Sequence, residues 1–272
     1  MNAIKSIYDN ANRELGKEDL QWFNAVITSK SKRIVFLVAC VNTEVVGFIL
    51  AYRNNDGAYI ENIAVHEEYR NTGIGRLLIS EAEKTLIKHG AKTIYLSVKN
   101  WNIRALNFYL RQGYAVRGVV LLMSVEPERF KEKEFNESYF VMDVSASRVK
   151  THINRPLTSW SNLVDEVDKY IYRKLYRDER ALIVKKNRSI KAIVTYSVNH
   201  ELIVDSLTLS SYSALEALEA ALTALRNLAL SRGLKNIEIP VDASKKKLVM
   251  FLEDLGFKVD EVEYLLQKDV IK

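Results

Sequence analysis

A single cysteine, Cys40, among 272 residues excludes an internal disulfide. Four histidines, at 66, 89, 152 and 200, join that one thiol without any ligand spacing for a structural zinc site. No apolar run approaches the roughly 18 residues that a spanning helix needs. Met1 to Asp9 also lack the basic-then-apolar layout of a signal peptide. These absences set the expectation of a cytoplasmic protein with no metal and no membrane contact. What is present is a globular composition: 48% hydrophobic and 27% charged residues exclude disorder for the bulk of the chain. The length admits two domains as readily as one. The net charge of +6 points only weakly to an anionic partner, because Lys and Arg are spread along the whole length.

Apolar residues at helical spacing predict two helices first, Ala3 to Leu15 and Lys17 to Ser29. Three strands follow, Ile34 to Val41, Glu44 to Tyr52 and Ala58 to Val65, with Asn42-Thr43 and Asn54 to Gly57 as hairpin turns. From Ile74 the period changes to 3.6 and stops at His89-Gly90, which predicts a four-turn helix. Then come a strand at Thr93 to Val98, a short helix at Asn102 to Arg111, and strands at Tyr114 to Ser124 and Ser138 to Val144. A similar series runs past Ser145. Sliding the sequence by 143 positions superposes Gly90 on Gly233, Phe108 on Phe251, Gly113 on Gly256 and Tyr114 on Phe257. The fold expected is therefore α+β and duplicated in tandem, with halves at 1–145 and 146–272 that pair internally.

The sharpest local signal is Arg70-Asn71-Thr72-Gly73-Ile74-Gly75-Arg76, between a strand and the start of the long helix. Unpaired N–H groups at a helix start attract an anion, and two glycines let a pyrophosphate approach them without Cβ interference. The segment is neither the dinucleotide fingerprint, since Leu78 takes the third glycine's place, nor a P-loop, since no Gly-Lys-Ser/Thr follows. A second segment, Asn102 to Tyr114, has the form N-x-x-A-x-x-F-Y-x-x-x-G-F/Y.

Together with Ile63-Ala64-Val65, the two motifs strongly resemble the GNAT superfamily of N-acetyltransferases, in the family's order and at its usual separation. The resemblance covers residues of about 34 to 144 and implies a mixed, mostly antiparallel central sheet flanked by helices, the acyl-CoA N-acyltransferase fold. It implies that Arg70, Asn71, Thr72, Gly73, Ile74, Gly75 and Arg76 bind the pyrophosphate of acetyl-CoA. Ile63, Ala64 and Val65 would pair with the pantetheine arm where their strand splays from Thr93 to Val98. Asn102 would contact the cofactor, and Tyr109 would protonate the departing thiolate.

Acetyl transfer to an amine needs a neutral amine, a polarised thioester and a proton for the thiolate. Glu61 shares strand parity with Ile63 and Val65, which makes it the candidate base. Ribosomal-protein and other protein N-terminal acetyltransferases often carry Glu in the strand before the second motif, where this chain has Ser97. An α-amine of pKa near ~7.7 is about one-sixth neutral at pH 7, whereas a lysine near ~10.4 is neutral about once in 2,500. The base therefore matters more for a lysine acceptor.

At the 143-residue offset Glu216 and Leu218 stand for Gly73 and Gly75, Lys245 for Asn102 and Leu252 for Tyr109. The C-terminal half is expected to keep the fold, to bind no acetyl-CoA, and to shape the acceptor site. Phe130 and Phe135, in the charged run Glu126 to Glu137, are candidate gates, and Lys245 to Lys247 an exposed basic face. Two other readings stay open at this point: a non-catalytic acyl-CoA-binding sensor, and a nucleic-acid binder that has kept only the fold. The intact Gly73, Gly75, Asn102 and Tyr109 disfavour the second.

Overall fold

Hydrophobic periodicity becomes a layered α/β arrangement in the computed structural model of the chain. It describes residues 2–11, 33–54, 56–132, 139–146, 180–198, 200–211 and 214–270, with positions 26, 28, 31 and 149. Among these the chain runs α1 (Asn2–Asn10), β1 (Ile34–Val41), β2 (Glu44–Asn54), β3 (Gly57–Val65), α2 (Ile74–Lys88), β4 (Thr93–Lys99), α3 (Ile103–Arg111) and β5 (Ala115–Val125). It continues through β6 (Phe140–Ser145), β7 (Arg180–Lys186), β8 (Ser189–Val198), β9 (Leu202–Leu209), α4 (Leu215–Arg232), β10 (Ile237–Asp242), α5 (Lys246–Asp254) and β11 (Lys258–Asp269). The helix expected at Lys17 to Ser29 lies outside the described residues except for Val26 and Thr28.

The described residues divide into two compact units. The first takes those of Met1–Arg117 and Tyr264–Lys272, the second those of Gly118–Trp160 and Tyr176–Glu263. This division does not follow the 145/146 boundary expected from the repeat. The reason is burial: Leu266 on β11 is 0% exposed in the core of the first unit, and Met123 on β5 is 0% exposed in that of the second. Periodicity locates a strand in sequence but does not say which core its side chains enter.

In the first unit β1, β2 and β3 form the expected antiparallel meander, turning at Asn42 with φ 53°. One face of β2 carries Phe48, Leu50 and Tyr52 against α1, and the other carries Ile49 and Ala51 against the α2 side. α2 contributes Leu78, Ile79, Ala82 and Leu86 to that second layer, the i, i+4, i+8 stripe that fixes its orientation.

The second unit repeats the design. β7, β8 and β9 form an antiparallel meander, with Asn187 at φ 49° in its first turn. α4 buries Ala217, Leu218, Ala221, Leu222 and Leu225 against it. Phe130 is not a gate residue: it is buried in this core with its ring edge-on to Phe257, 6.3 Å away. Phe135 lies outside the described residues. Lys246 and Lys247 are exposed, as expected.

Candidate active site

β3 and β4 are parallel, and their ladder runs from Gly57↔Thr93 through Ala58↔Ile94 to Tyr59↔Tyr95, where it stops. From Ile60 and Leu96 onward the strands diverge, so backbone groups of β3 face an opening between neighbours instead of a ladder. β2 supports β3 on its other side as far as Gly47↔Val65. A bulge interrupts that support: the register passes from Leu50↔Asn62 to Ala51↔Ile60, which makes Glu61 the extra residue. Ile60 and Ile63 consequently join the same packed layer although they differ in parity. Glu61 is half-buried at the bulge, and its direction is not set by parity with Ile63 and Val65, which corrects the sequence argument.

The exit of β3 leads into the glycine turn. Arg70 Nε donates to the Val65 carbonyl at 3.0 Å, and Thr72 Oγ1 to the Tyr69 carbonyl at 2.6 Å, so both side chains shape the turn. Asn71 and Gly73 have φ of 67° and 93°. Gly73 is the N-cap of α2 and supplies no side-chain cap, and Leu77 N–H donates to the Gly73 carbonyl at 3.0 Å. The N–H groups of Ile74, Gly75 and Arg76 thus precede the first bond of the helix and form an anion-binding set.

Gly75 meets this cradle for a different reason than Gly73. A methyl group built on it would stand 3.6 Å from the Phe108 ring and 3.8 Å from Val65, an ordinary contact without backbone strain. Packing therefore does not demand glycine there, and the missing side chain leaves the backbone open to close approach. The same contacts bring Gly75, the end of β3 and the Phe108-Tyr109 pair of α3 together.

Asn102 caps α3, its Oδ1 accepting from Ala105 N–H at 3.0 Å, and this leaves Nδ2 as the donor a ligand can meet. Tyr109 is 7% exposed, edge-on to Phe108 at 5.2 Å and to Tyr114 at 5.9 Å. Burial raises its pKa well above the ordinary phenol value, so it carries its proton at any working pH. Arg104 was missed by sequence reasoning. From the exposed face of α3 its Nη2 donates to Asn71 Oδ1 at 3.2 Å, which brings a cation to the turn. Its place two residues after Asn102 was the available signal.

The second unit closes the equivalent positions. Leu218, at the place of Gly75, is 0% exposed in the core. Glu216, at the place of Gly73, accepts a hydrogen bond from the Tyr139 hydroxyl at 3.1 Å. The β8–β9 register repeats the bulge, with Asp205 as its extra residue and Ser197 Oγ donating to its carboxylate at 3.0 Å.

Residues 2–114, which hold the open strand pair, the glycine turn and α3, match the Acetyltransferase (GNAT) family. The match covers less than half of the chain. The GNAT segment is similar to L-ornithine N5-acetyltransferase of Arabidopsis thaliana, 37% identical over 78 residues, which are 26% of this chain and 34% of that protein. It is also similar to an acetyltransferase of Sodalis glossinidius, 37% identical over 89 residues, 33% of this chain and 63% of that protein. The chain therefore spans less than two thirds of either relative. Its fold is similar to that of a tandem GNAT protein from the clavulanic acid biosynthesis pathway: TM-score 0.62 at 13% identity, covering 92% of this chain and 88% of the other. The GNAT fold is thus present as a tandem, with its motifs only in the first half. Among the described residues no helix is long and apolar enough to cross a membrane, and no cluster of ligating side chains suits a metal ion.

Proposed function

We propose that the first unit transfers an acetyl group from acetyl-CoA to a primary amine by direct attack, both substrates being bound together. The observation that carries this reading is the end of the β3–β4 ladder at Tyr59↔Tyr95, beside a helix start lined by Gly75 and capped by no side chain. The diphosphate is assigned to the turn Arg70 to Arg76, the pantetheine arm to Ile63, Ala64 and Val65, and a further cofactor contact to Asn102. The ornithine amine in the name of the Arabidopsis relative supports an amine as acceptor.

In the reaction the acceptor nitrogen attacks the thioester carbonyl, the C–N bond forms and the C–S bond breaks. N–H groups of the diverging β3 stabilise the oxyanion. Glu61, directly or through water, takes the proton that the amine loses. Tyr109 serves the sulfur. A thiol has a pKa near ~8.5, below that of the buried phenol, so Tyr109 first donates a hydrogen bond to the developing thiolate and then passes it the proton, while the proton that Glu61 took from the amine returns to the Tyr109 oxygen through water. Leu218 and Glu216 occupy the equivalent cradle in the second unit, and we assign that unit no acetyl-CoA binding.

The test is a screen of amines with acetyl-CoA and the full-length chain, reading free thiol, with Tyr109→Phe as control. Thiol release with at least one amine, lowered about tenfold or more in Tyr109→Phe, supports the assignment. Full turnover by the variant removes Tyr109 from the mechanism. Acetyl-CoA binding without thiol release from any amine would identify a sensor instead.

A further inference from the structure

The last strand brings into the first unit a cation that no motif marked. Lys268 on β11 places Nζ 2.7 Å from Glu83 Oε2 on α2, with the two side chains only 24% and 13% exposed. The same ammonium stands 5.4 Å from the centre of the Tyr114 ring. Gly113 lies beside its stem, where a methyl group would make only an ordinary contact with Lys268 Cε at 3.7 Å. The Tyr114 ring meets Tyr109 edge-on at an interplanar angle of 71°. Burial and then the Glu83 carboxylate keep the Tyr114 hydroxyl protonated. Leu266, two residues earlier on β11, is buried in the same layer as Tyr109 and Tyr114. One contact chain thus runs from Lys268 through Tyr114 to the proposed proton donor.

We propose that Lys268 is a positioning residue for Tyr109: by neutralising Glu83 and covering the Tyr114 ring, it fixes the aromatic surface against which Tyr109 packs. The inference rests on the reading of Tyr109 as the group that serves the sulfur. Its physical basis is the cost of an uncompensated charge. Without Lys268 the part-buried Glu83 carboxylate loses its partner and must draw in water or turn outward, and either response rearranges its neighbour Tyr114. A displaced Tyr114 releases the Tyr109 ring, and a shift of ~1 Å at a reacting group lowers a rate by about a hundredfold. The glycine turn and Asn102 make no contact in this chain of residues, so acetyl-CoA binding is not part of its effect.

The experiment uses the full-length chain and four variants: Lys268→Met, Lys268→Arg, Tyr109→Phe, and the double variant Tyr109→Phe with Lys268→Met. The expected result for Lys268→Met is a kcat lower by about ten- to a hundredfold and an acetyl-CoA Kd within about twofold of the parent, with Lys268→Arg recovering most of the rate. In the Tyr109→Phe background the same change should leave kcat within about twofold, because the group it positions is gone. A folded Lys268→Met that keeps the parental kcat overturns the proposal. An equal loss in both backgrounds overturns it too, since Lys268 would then act on something other than Tyr109. If Lys268→Met does not fold, Lys268→Gln, which keeps a donor for Glu83 but no charge, is read by the same criteria. A slow Tyr109→Phe beside a fast Lys268→Met removes only the positioning role, whereas a fast Tyr109→Phe removes the reading on which it rests.

Discussion

Tyr59 and Tyr95 form the last rung between β3 and β4, and every residue proposed to touch the transferred group lies beyond that rung or in the elements that follow it. A parallel pair that parted earlier would lose the support that the ladder gives to β3. One that continued to Val65 would satisfy the N–H groups needed for an oxyanion. In the proposed reaction the place of separation is therefore a functional dimension of the fold.

Gly73 and Gly75 should separate in their responses to alanine. Gly73→Ala puts a Cβ at φ 93° and should destabilise the chain by roughly 1–2 kcal/mol, seen as a lower melting temperature. Gly75→Ala meets only ordinary contacts at 3.6 and 3.8 Å. It should leave the melting temperature unchanged or slightly higher while weakening acetyl-CoA binding about tenfold, or about 1.4 kcal/mol by calorimetry. Equal affinity for parent and Gly75→Ala would contradict the cradle.

Asn102 carries two tasks on two atoms. Asn102→Ser keeps an oxygen for Ala105 N–H and loses the amide donor, so stability should hold while acetyl-CoA binding weakens. Asn102→Ala loses both and should also cost about 1 kcal/mol of stability. Denaturant titration beside calorimetry separates the two; a serine variant with parental affinity would leave Asn102 as a cap alone.

The second unit should be sensitive to pH near neutrality. Burial, then the hydrogen bond and charge of Glu201, then the charges of Asp260 and Glu261, push Glu238 up to about 7 from an ordinary 4.5. Between those values the folded chain holds a proton that the unfolded chain has released. The stability this provides is complete below about pH 4.5 and is lost as pH rises through 7. Glu238→Gln should therefore stabilise the chain at pH 8 by about 1–2 kcal/mol, with solvent screening of a partly exposed group allowed for, and change little at pH 5. A melting difference that is the same at both pH values would refute the assignment.

The first unit needs the end of the chain. Leu266→Ala should cost roughly 2–5 kcal/mol, because that side chain is fully buried. The fragment 1–145, which contains every motif residue but neither Leu266 nor Lys268, should show no cooperative melt of parental height and should lose acetyl-CoA affinity. A fragment as stable as the full chain would remove the structural role of β11.

Much of the local structure was legible because it repeats at short range. The 3.6 period of α2, the turn at Asn42 and the start of α3 at Asn102 depend on neighbours within a few residues, and all of them stand near the expected positions. The glycine turn was legible for the same reason, as a strand exit that meets a helix start. The strand parity of Glu61 was not legible because one additional residue in β3 breaks alternation without leaving a mark in composition. Phe130 was misjudged because a charged segment can still bury one aromatic ring, here against Phe257.

By itself the sequence determined the order of the elements, their duplication and the loss of the glycine cradle in the second half, since each is written in spacing and residue type along the chain. Only the tertiary structure decided where β3 and β4 part, which core receives β11, and that Lys268 meets Glu83 across 185 positions. Those are contacts between distant residues. They depend on which surfaces close over one another when apolar side chains leave water, and no local pattern records that.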